Sequence, residues 1–382
     1  MIRVLIDGRV SGHDGIVRYT TCLTRALRMA AGPDIHVTVL PPTGTSRYSQ
    51  AESAELARAA VDARADIIHV LDFRIAVDPL PVPIIATVHD VLRLDLRYCH
   101  TNEQFAHRYG DNWLAGLQFA VRDLRERPGA SRTQLEGISL YAEYYARMLA
   151  WTCLQASYVV TPTETVARQL AQAVRLGGRP VPIPLGIDHW AEGATGDPDI
   201  LDTFPGQYLL YVGQARMHKG LPELIEAYQY SQASSRNVPL VCAGRDFAPG
   251  TDAAAQLEGA LGGNAIAIGE VPDETLRHLY AHATALVHLA VHEGFGLTPL
   301  EAMTCGSRVI ASGIPVLRET LGQHAEFVES DNALDAAGAI DKILAEPDDE
   351  QARDARMRWA SRYTWRRHAD SILRLYRGCQ PG

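Results

Sequence analysis

Lysine is nearly missing from this chain. Of 36 Lys and Arg residues, only Lys219 and Lys342 are lysines; arginine supplies the rest. A lysine kept in so arginine-rich a sequence marks its position, and Lys219 is therefore a residue to follow. Paired cysteines are missing as well. Cys22, Cys99, Cys153, Cys242, Cys305 and Cys379 are scattered, with no CxxC spacing and no Cys/His pattern. That speaks against a disulfide framework or a structural zinc site and predicts reduced thiols in a cytoplasmic protein. No apolar stretch approaches the ~20 residues that span a bilayer. No cluster of basic residues resembles a nucleic-acid footprint or a patch for anionic membranes. The opening segment, Met1 to Gly8, is short and turns acidic at Asp7, which does not fit a secretory leader. No His/Asp/Glu cluster has metal-ligand spacing and no D-x-D triad stands out, so no metal cofactor is expected.

What is present suits two domains. The 382 residues exceed one ordinary core, and 47% hydrophobic content is enough to fill two. The net charge of -9 is unevenly spread. Up to Leu185 there are 20 basic and 18 acidic residues; from Gly186 onward there are 16 and 27. Short β-rich runs alternate with helical patterns along the chain. Strands are expected at 2–6, 35–40, 67–70, 84–88, 158–161 and 181–187 in the first half. In the second they are expected at 208–212, 240–243, 265–268, 285–289 and 308–311. A helix from Ile16 carries Ile16, Tyr19, Leu23, Leu27 and Ala30 on one face. Such alternation implies α/β architecture, with two doubly wound parallel sheets. The expected domains are 1–188 and 189–363, joined near Gly193-Ala194-Thr195-Gly196-Asp197-Pro198, which has linker composition. A last helix, within 364–382, is expected to pack back on the first domain. Residues 93–156 break the rhythm with helical stretches and no strand, and read as a helical insertion placed over the ligand-binding edge of the first sheet.

Three segments carry chemistry. In the first, a strand ends near His288, a Gly-rich turn holds Glu293-Gly294-Phe295-Gly296, and a helix opens near Thr298-Pro299. Such a helix start offers free backbone N–H groups to a phosphate. Glu293 in the turn and Glu301 one turn into the helix are placed to accept hydrogen bonds from sugar hydroxyls. In the second, a strand runs into Gly213, and Arg216 and Lys219 follow before the next helix. Two cations there suit a diphosphate, both to bind it and to stabilise it as a leaving group. In the third, Gly8, Gly12 and Gly15 lie between the first strand and first helix; the loop is either a structural turn or a phosphate contact at Gly15.

These segments resemble the retaining glycosyltransferases of the two-Rossmann (GT-B) architecture, family 4. The hallmark E-G-F-G-L-x-x-x-E-A-M matches from Glu293 to Met303, and the strand-G-x-x-x-x-x-K loop matches from Gly213 to Lys219. Gly269 to Asp273, followed by Leu276 and Tyr280, resembles the segment whose backbone holds the nucleobase. Pro184 to Asp188 resembles the family's interdomain turn, and His89-Asp90 its N-terminal H-D motif. The resemblance implies a GT-B fold, two Rossmann-like doubly wound domains facing an interdomain cleft. It implies a metal-independent, retaining transfer from a nucleotide-sugar donor, with Arg216 and Lys219 on the diphosphate, Glu293 on the donor sugar and Glu301 on the ribose. Gly15, Gly213, Val271, Leu276, Gly294, Phe295, Gly296 and Leu297 complete the expected donor site. His89 and Asp90 are expected at the acceptor, with His89 also beside the transferred sugar; the plainer readings are a satisfied core histidine and a turn cap.

A UDP-sugar is the expected donor, with GDP and dTDP left open by backbone recognition of the base. The expected acceptor is a small soluble one, since no membrane-facing patch is evident. The N-terminal Asp7-Gly8-Arg9…Asp14-Gly15-Ile16 looks somewhat like enzymes that glycosylate aminocyclitols in aminoglycoside antibiotic biosynthesis. The alternatives are a cell-surface polysaccharide or mannosyl transferase, a GT-B sugar-nucleotide epimerase, and a non-catalytic nucleotide-sugar sensor. No nucleic-acid partner and no stable membrane insertion are expected, and no oligomeric state follows from the sequence.

Overall fold

The strands are short, predominantly apolar runs. Ile67-Ile68-His69-Val70 and Ile84-Ile85-Ala86-Thr87 are buried at every residue, as parallel strands covered on both faces require. The computed structural model describes residues 1–9, 15–43, 50–75, 78, 80, 82–127, 139–176, 180–190 and 206–379. The expected linker at 193–198 and the loop residues 10–14 lie outside that set.

The chain divides into two units, Met1–Gly186 with Trp365–Gly382, and Ile187–Thr364. Unit 1 contains β1 (Ile2–Asp7), β2 (Ile35–Leu40), β3 (Ile67–Val70), β4 (Ile84–Thr87), β5 (Tyr158–Thr161) and β6 (Val181–Pro182). They form a parallel sheet in the order β2-β1-β3-β4-β5-β6, with Val4 opposite Val37 and Ile67. β6 is much shorter than the expected 181–187. Pro182 and Pro184 remove ladder donors, and only Ile183 N–H continues the pairing, to Thr161 O at 2.8 Å.

Unit 2 contains β7 (Leu209–Val212), β8 (Leu240–Ala243), β9 (Ala265–Gly269), β10 (Ala285–His288), β11 (Val309–Ser312) and β12 (Glu326–Val328). Its order is β12-β11-β10-β7-β8-β9, again parallel. The chain winds outward from β7 through β8 and β9, then returns to β10 on the other side of β7. Open sheets of this kind bind ligands beyond the strand ends where the winding reverses. In unit 2 that point lies between β7 and β10; in unit 1 it lies between β1 and β3. β12 is absent from the expectation because three residues with one buried give no periodic signal.

Among its described residues the segment 93–156 is helical and holds no strand, as its pattern suggests, and its last helix lies in the core of unit 1. It holds short 3-10 turns at Leu92–Leu94 and Leu96–Tyr98, then helices Asn102–Tyr109, Asp111–Arg125 and Leu140–Gln155. In the last of these every residue from Ala142 to Cys153 is buried. Tyr144, Met148 and Trp151 join one core with Leu117, Val121 and Leu124 of the preceding helix and with Ile68, Ile84 and Val159 of the sheet. This helix is the crossover between β4 and β5. All-round burial erases the polar face by which a crossover helix is normally read.

One carboxylate is buried in that crossover. Glu143 is 1% exposed. Its Oε1 accepts from Arg125 Nε at 2.7 Å and Arg147 Nε at 2.8 Å, and its Oε2 accepts from Arg125 Nη2 at 2.7 Å. Burial opposes its ionisation, but the two guanidinium groups outweigh burial and hold its carboxyl below the usual range. Glu143 is therefore committed within the fold and is not offered to a ligand.

The helix Trp365–Gly378 returns to unit 1. Arg377 Nε donates to Asp34 Oδ2 at 3.0 Å. A Cβ at Gly186 would lie 2.2 Å from Trp365 N, so glycine is required where these two segments pass. Among the described residues, no helix is long and apolar enough to cross a membrane.

The buried triad yields a first test. Glu143→Ala removes the carboxylate that Arg147, whose side chain is 2% exposed, meets at 2.8 Å. Loss of one partner of a buried pair costs about 3–5 kcal/mol. Denaturant titration should show a loss of about that size. A change of under ~1 kcal/mol would mean that Arg147 finds water instead.

Candidate functional site

The site is built from two loops at the reversal point of unit 2. The first leaves β7. The apolar run Leu209-Leu210-Tyr211-Val212 ends at Gly213, whose N–H donates to Ala243 O at 3.0 Å. The buried Tyr211 hydroxyl donates to Gln214 O at 2.9 Å, and Ala215 N–H donates to Asp246 Oδ2 at 2.9 Å. A 3-10 turn, Met217–Lys219, follows Arg216, which is half-buried. Gly220 then adopts φ 70°, in the left-handed region. A Cβ there would lie 2.1 Å from Leu289 O. Val291 N–H donates to His218 O at 3.0 Å. The glycine and this backbone bond hold the first loop against the second.

The second loop leaves β10 at His288, which is 3% exposed. His288 Nε2 lies 3.0 Å from Glu293 Oε1, and Lys219 Nζ lies 2.5 Å from the same oxygen. A carboxylate only accepts, so His288 carries its hydrogen on Nε2. The Lys219 and Glu293 side chains are 24% and 13% exposed. Burial disfavours the charged carboxylate, but the Lys219 ammonium and the His288 hydrogen bond hold Glu293 well below the usual carboxylate range. Both contacts converge on Oε1. Among the described residues nothing donates to Oε2, which leaves that oxygen for a hydroxyl. Lys219 keeps two further N–H donors.

A helix starts beside this cluster. Gly296 has φ 86°, and a Cβ there would meet Leu317 Cδ2 at 2.6 Å. The helix Leu297–Thr304 has no side-chain cap, and Pro299 has no N–H. The first N–H groups therefore point out of the helix start without an intrahelical acceptor. Glu301 lies on this helix and is 4% exposed. His189 Nε2 is 3.4 Å from its Oε1, and the Tyr280 hydroxyl donates to its Oε2 at 3.4 Å. Phe295 is 4% exposed and packs edge-on against Tyr363, with centroids 5.4 Å apart, so its ring serves the core and its backbone faces the turn. Leu276 is also buried, while Val271, Gly294 and Leu297 are half-buried.

The remaining predicted residues lie in unit 1. His89 and Asp90 follow β4. Asp90 Oδ1 accepts from Leu92 N–H at 2.9 Å, so it caps the following turn. His89 is half-buried, with Nε2 3.0 Å from Leu71 O. Gly15 is exposed at the start of the helix Gly15–Ala30, and a Cβ there would meet nothing within 4 Å. Among the described residues of unit 1, nothing thus demands glycine at that position.

Two residues at the site escape the sequence reading, His288 and His189, and Tyr280, expected in the nucleobase segment, donates to Glu301. Each acts on a predicted glutamate. The spacing His288 to Glu293 is visible in the sequence, but only the turn after β10 brings the two together. Among the described residues, no group of three or more His, Cys, Asp or Glu side chains is arranged to hold a metal ion.

The Glu293 cluster gives a pH signature. Its folded pKa is depressed, so its stabilisation is complete above the unfolded value of about 4.3 and is lost as pH falls toward the folded one. Glu293→Gln should be less stable than wild type near neutral pH, and the gap should close as pH drops from about 5 to 2. Melting curves across that range will read it; a constant gap would count against the ion pair.

The family model described as "Glycosyl transferases group 1" matches residues 205–362. The chain is 34% identical over 178 residues to the O-antigen chain mannosyltransferase B of Escherichia coli, covering 44% of this chain and 45% of that protein. It is 31% identical over 217 residues to a phosphatidyl-myo-inositol mannosyltransferase of Mycolicibacterium smegmatis, covering 54% and 53%. The chain thus spans about half the length of the curated relatives it matches. Among solved structures it resembles the sucrose-phosphate synthase of Thermosynechococcus elongatus, with TM-score 0.68, 18% identity and 99% of each chain covered. That likeness shows the GT-B fold. The match to the glycosyl transferases group 1 model, 205–362, spans the segment that carries the cluster of Lys219, His288 and Glu293.

Proposed function

We propose that this chain is a glycosyltransferase that takes a hexosyl group, mannose in the first instance, from a nucleoside-diphosphate sugar held by unit 2. The observation that carries the reading is the placement of Lys219 and Glu293 beside an uncapped helix start at the sheet's reversal point. Lys219, Arg216 and the N–H groups of Leu297 and Thr298 would bind the diphosphate and carry its growing charge as it leaves. Oε2 of Glu293 would accept from a hydroxyl of the donor sugar. Glu301, oriented by His189 and Tyr280, would hold the ribose. In the transfer, the bond from the sugar's anomeric carbon to the diphosphate oxygen breaks and a bond to the acceptor oxygen forms. The acceptor's proton passes to the departing phosphate. This lets the anomeric configuration be retained and leaves the two cations in the role a metal otherwise fills.

The relatives support mannose as the sugar. Both curated ones named above are mannosyltransferases, which favours the mannosyl alternative over the UDP-sugar and aminocyclitol expectations drawn from sequence. The acceptor is assigned to unit 1, at His89 and Asp90. The Gly15 backbone N–H, at the start of its helix, would contact a phosphate.

A thermal-shift panel of UDP, GDP and dTDP, followed by the mannose donor of the winning base, is the first experiment. Lys219→Ala and Glu293→Ala should each lower turnover by at least about tenfold while the circular dichroism spectrum is kept. Near-normal turnover in both would sink the assignment. An epimerised donor without acceptor, or binding with no turnover across acceptors, would replace it with an epimerase or a sensor.

A further inference from the structure

A chain of buried polar groups in unit 1 leads from the C-terminal helix to His89. His69 and Tyr376 are 0% exposed, and Tyr19, Thr87 and His368 are 1% exposed. The Tyr376 hydroxyl is 2.7 Å from His69 Nδ1, and His69 Nε2 is 3.0 Å from Thr87 Oγ1. Thr87 Oγ1 is 3.3 Å from the Tyr19 hydroxyl, which is 3.2 Å from His368 Nε2. His368 Nδ1 is 2.8 Å from Pro184 O.

The last contact fixes every proton. A carbonyl only accepts, so His368 Nδ1 carries hydrogen. Burial keeps both imidazoles neutral, lowering the pKa of His368 to about 4 and that of His69 to about 3. In a neutral ring the other nitrogen accepts, so Tyr19 O–H donates to His368 Nε2. Thr87 then donates to Tyr19, His69 Nε2 donates to Thr87, and Tyr376 donates to His69 Nδ1. Donation runs one way, from Tyr376 to Pro184 O, with each group satisfied in turn.

Tyr19 is where this chain meets His89. The two rings stand edge to face, 4.6 Å apart at 81°. Leu71 O accepts from His89 Nε2–H, which makes Nδ1 the lone-pair nitrogen. Among the described residues nothing hydrogen-bonds to Nδ1, and that atom is not sealed from solvent. The carbonyl and the Tyr19 ring together stop the imidazole from turning.

We propose that Tyr19, anchored by His368 of the C-terminal helix, is a positioning residue that presents His89 Nδ1 as an acceptor for a substrate hydroxyl. This rests on the reading of His89 as a substrate contact given above.

Two measurements separate the claims. The first is hydrogen exchange of the His89 Nε2–H proton by NMR, its resonance identified by its loss in His89→Ala. It needs no turnover. Tyr19→Leu should speed exchange by at least about tenfold, because the ring is no longer held. His368→Asn, which keeps a donor for Pro184 O but removes the acceptor for Tyr19, should speed exchange too. His368→Gln, which restores that acceptor, should return it toward wild type. Unchanged exchange in Tyr19→Leu overturns the proposal; if that variant fails to fold, unchanged exchange in His368→Asn does so. The second measurement is a double-mutant cycle. Tyr19→Leu, or His368→Asn in its place, should lower kcat by about tenfold with little change in the donor KM, and should cost nothing further in a His89→Ala background. An equal loss in both backgrounds overturns the route through His89. Faster exchange with unchanged kcat upholds the positioning of the ring and instead refutes His89 as a substrate contact.

Discussion

The candidate site depends on one close approach, that of Gly220 to the carbonyl of Leu289. A side chain there would overlap the carbonyl oxygen, with a Cβ only 2.1 Å away. The same residue needs a left-handed backbone, which glycine adopts without strain. Because the two loops touch at this point, a cation that follows β7 reaches a carboxylate that follows β10. The sequence separation of 74 between Lys219 and Glu293 then costs the site nothing in precision, since both are carried by neighbouring strands of one sheet.

Sheet order explains why chemistry gathers here. Parallel winding sends β8 and β9 to one side of β7 and β10 to β12 to the other. The two strands at the reversal diverge in their connections, so their loops leave a space that no crossover helix covers. Several of these strands end on a polar residue. His288 closes β10, Ser312 closes β11, and in unit 1 Asp7, Thr87 and Thr161 close β1, β4 and β5. Polar groups thus collect at the edge where ligands are bound, without breaking the buried strands.

Much of this was legible from residues alone. The turn from Glu293 to Gly296 could be read because its glycines, its proline two residues into a helix and its two glutamates each constrain the backbone or the chemistry. The strands of unit 2 could be read because they are short apolar runs between helical patterns. His288 could not: its role comes from a carboxylate five residues on, reached through a turn whose path the sheet dictates. The depth at which the crossover helix Leu140–Gln155 lies is hidden from the sequence for a different reason. A helix buried on all sides has no polar stripe, and its single acid, Glu143, looks like a surface residue until Arg125 and Arg147 are seen around it.

The near-absence of lysine has a practical consequence. The chain carries two ε-amines, one in the Glu293 pair and one, Lys342 Nζ, 2.9 Å from Glu326 Oε2 on the outer strand of the same sheet. Reductive methylation would therefore install two ε-dimethylamino groups, and their methyl signals would report separately on the ligand edge and on the far border of unit 2. A protein that spells its cations as arginine has left its binding edge a spectroscopic label with a built-in internal reference.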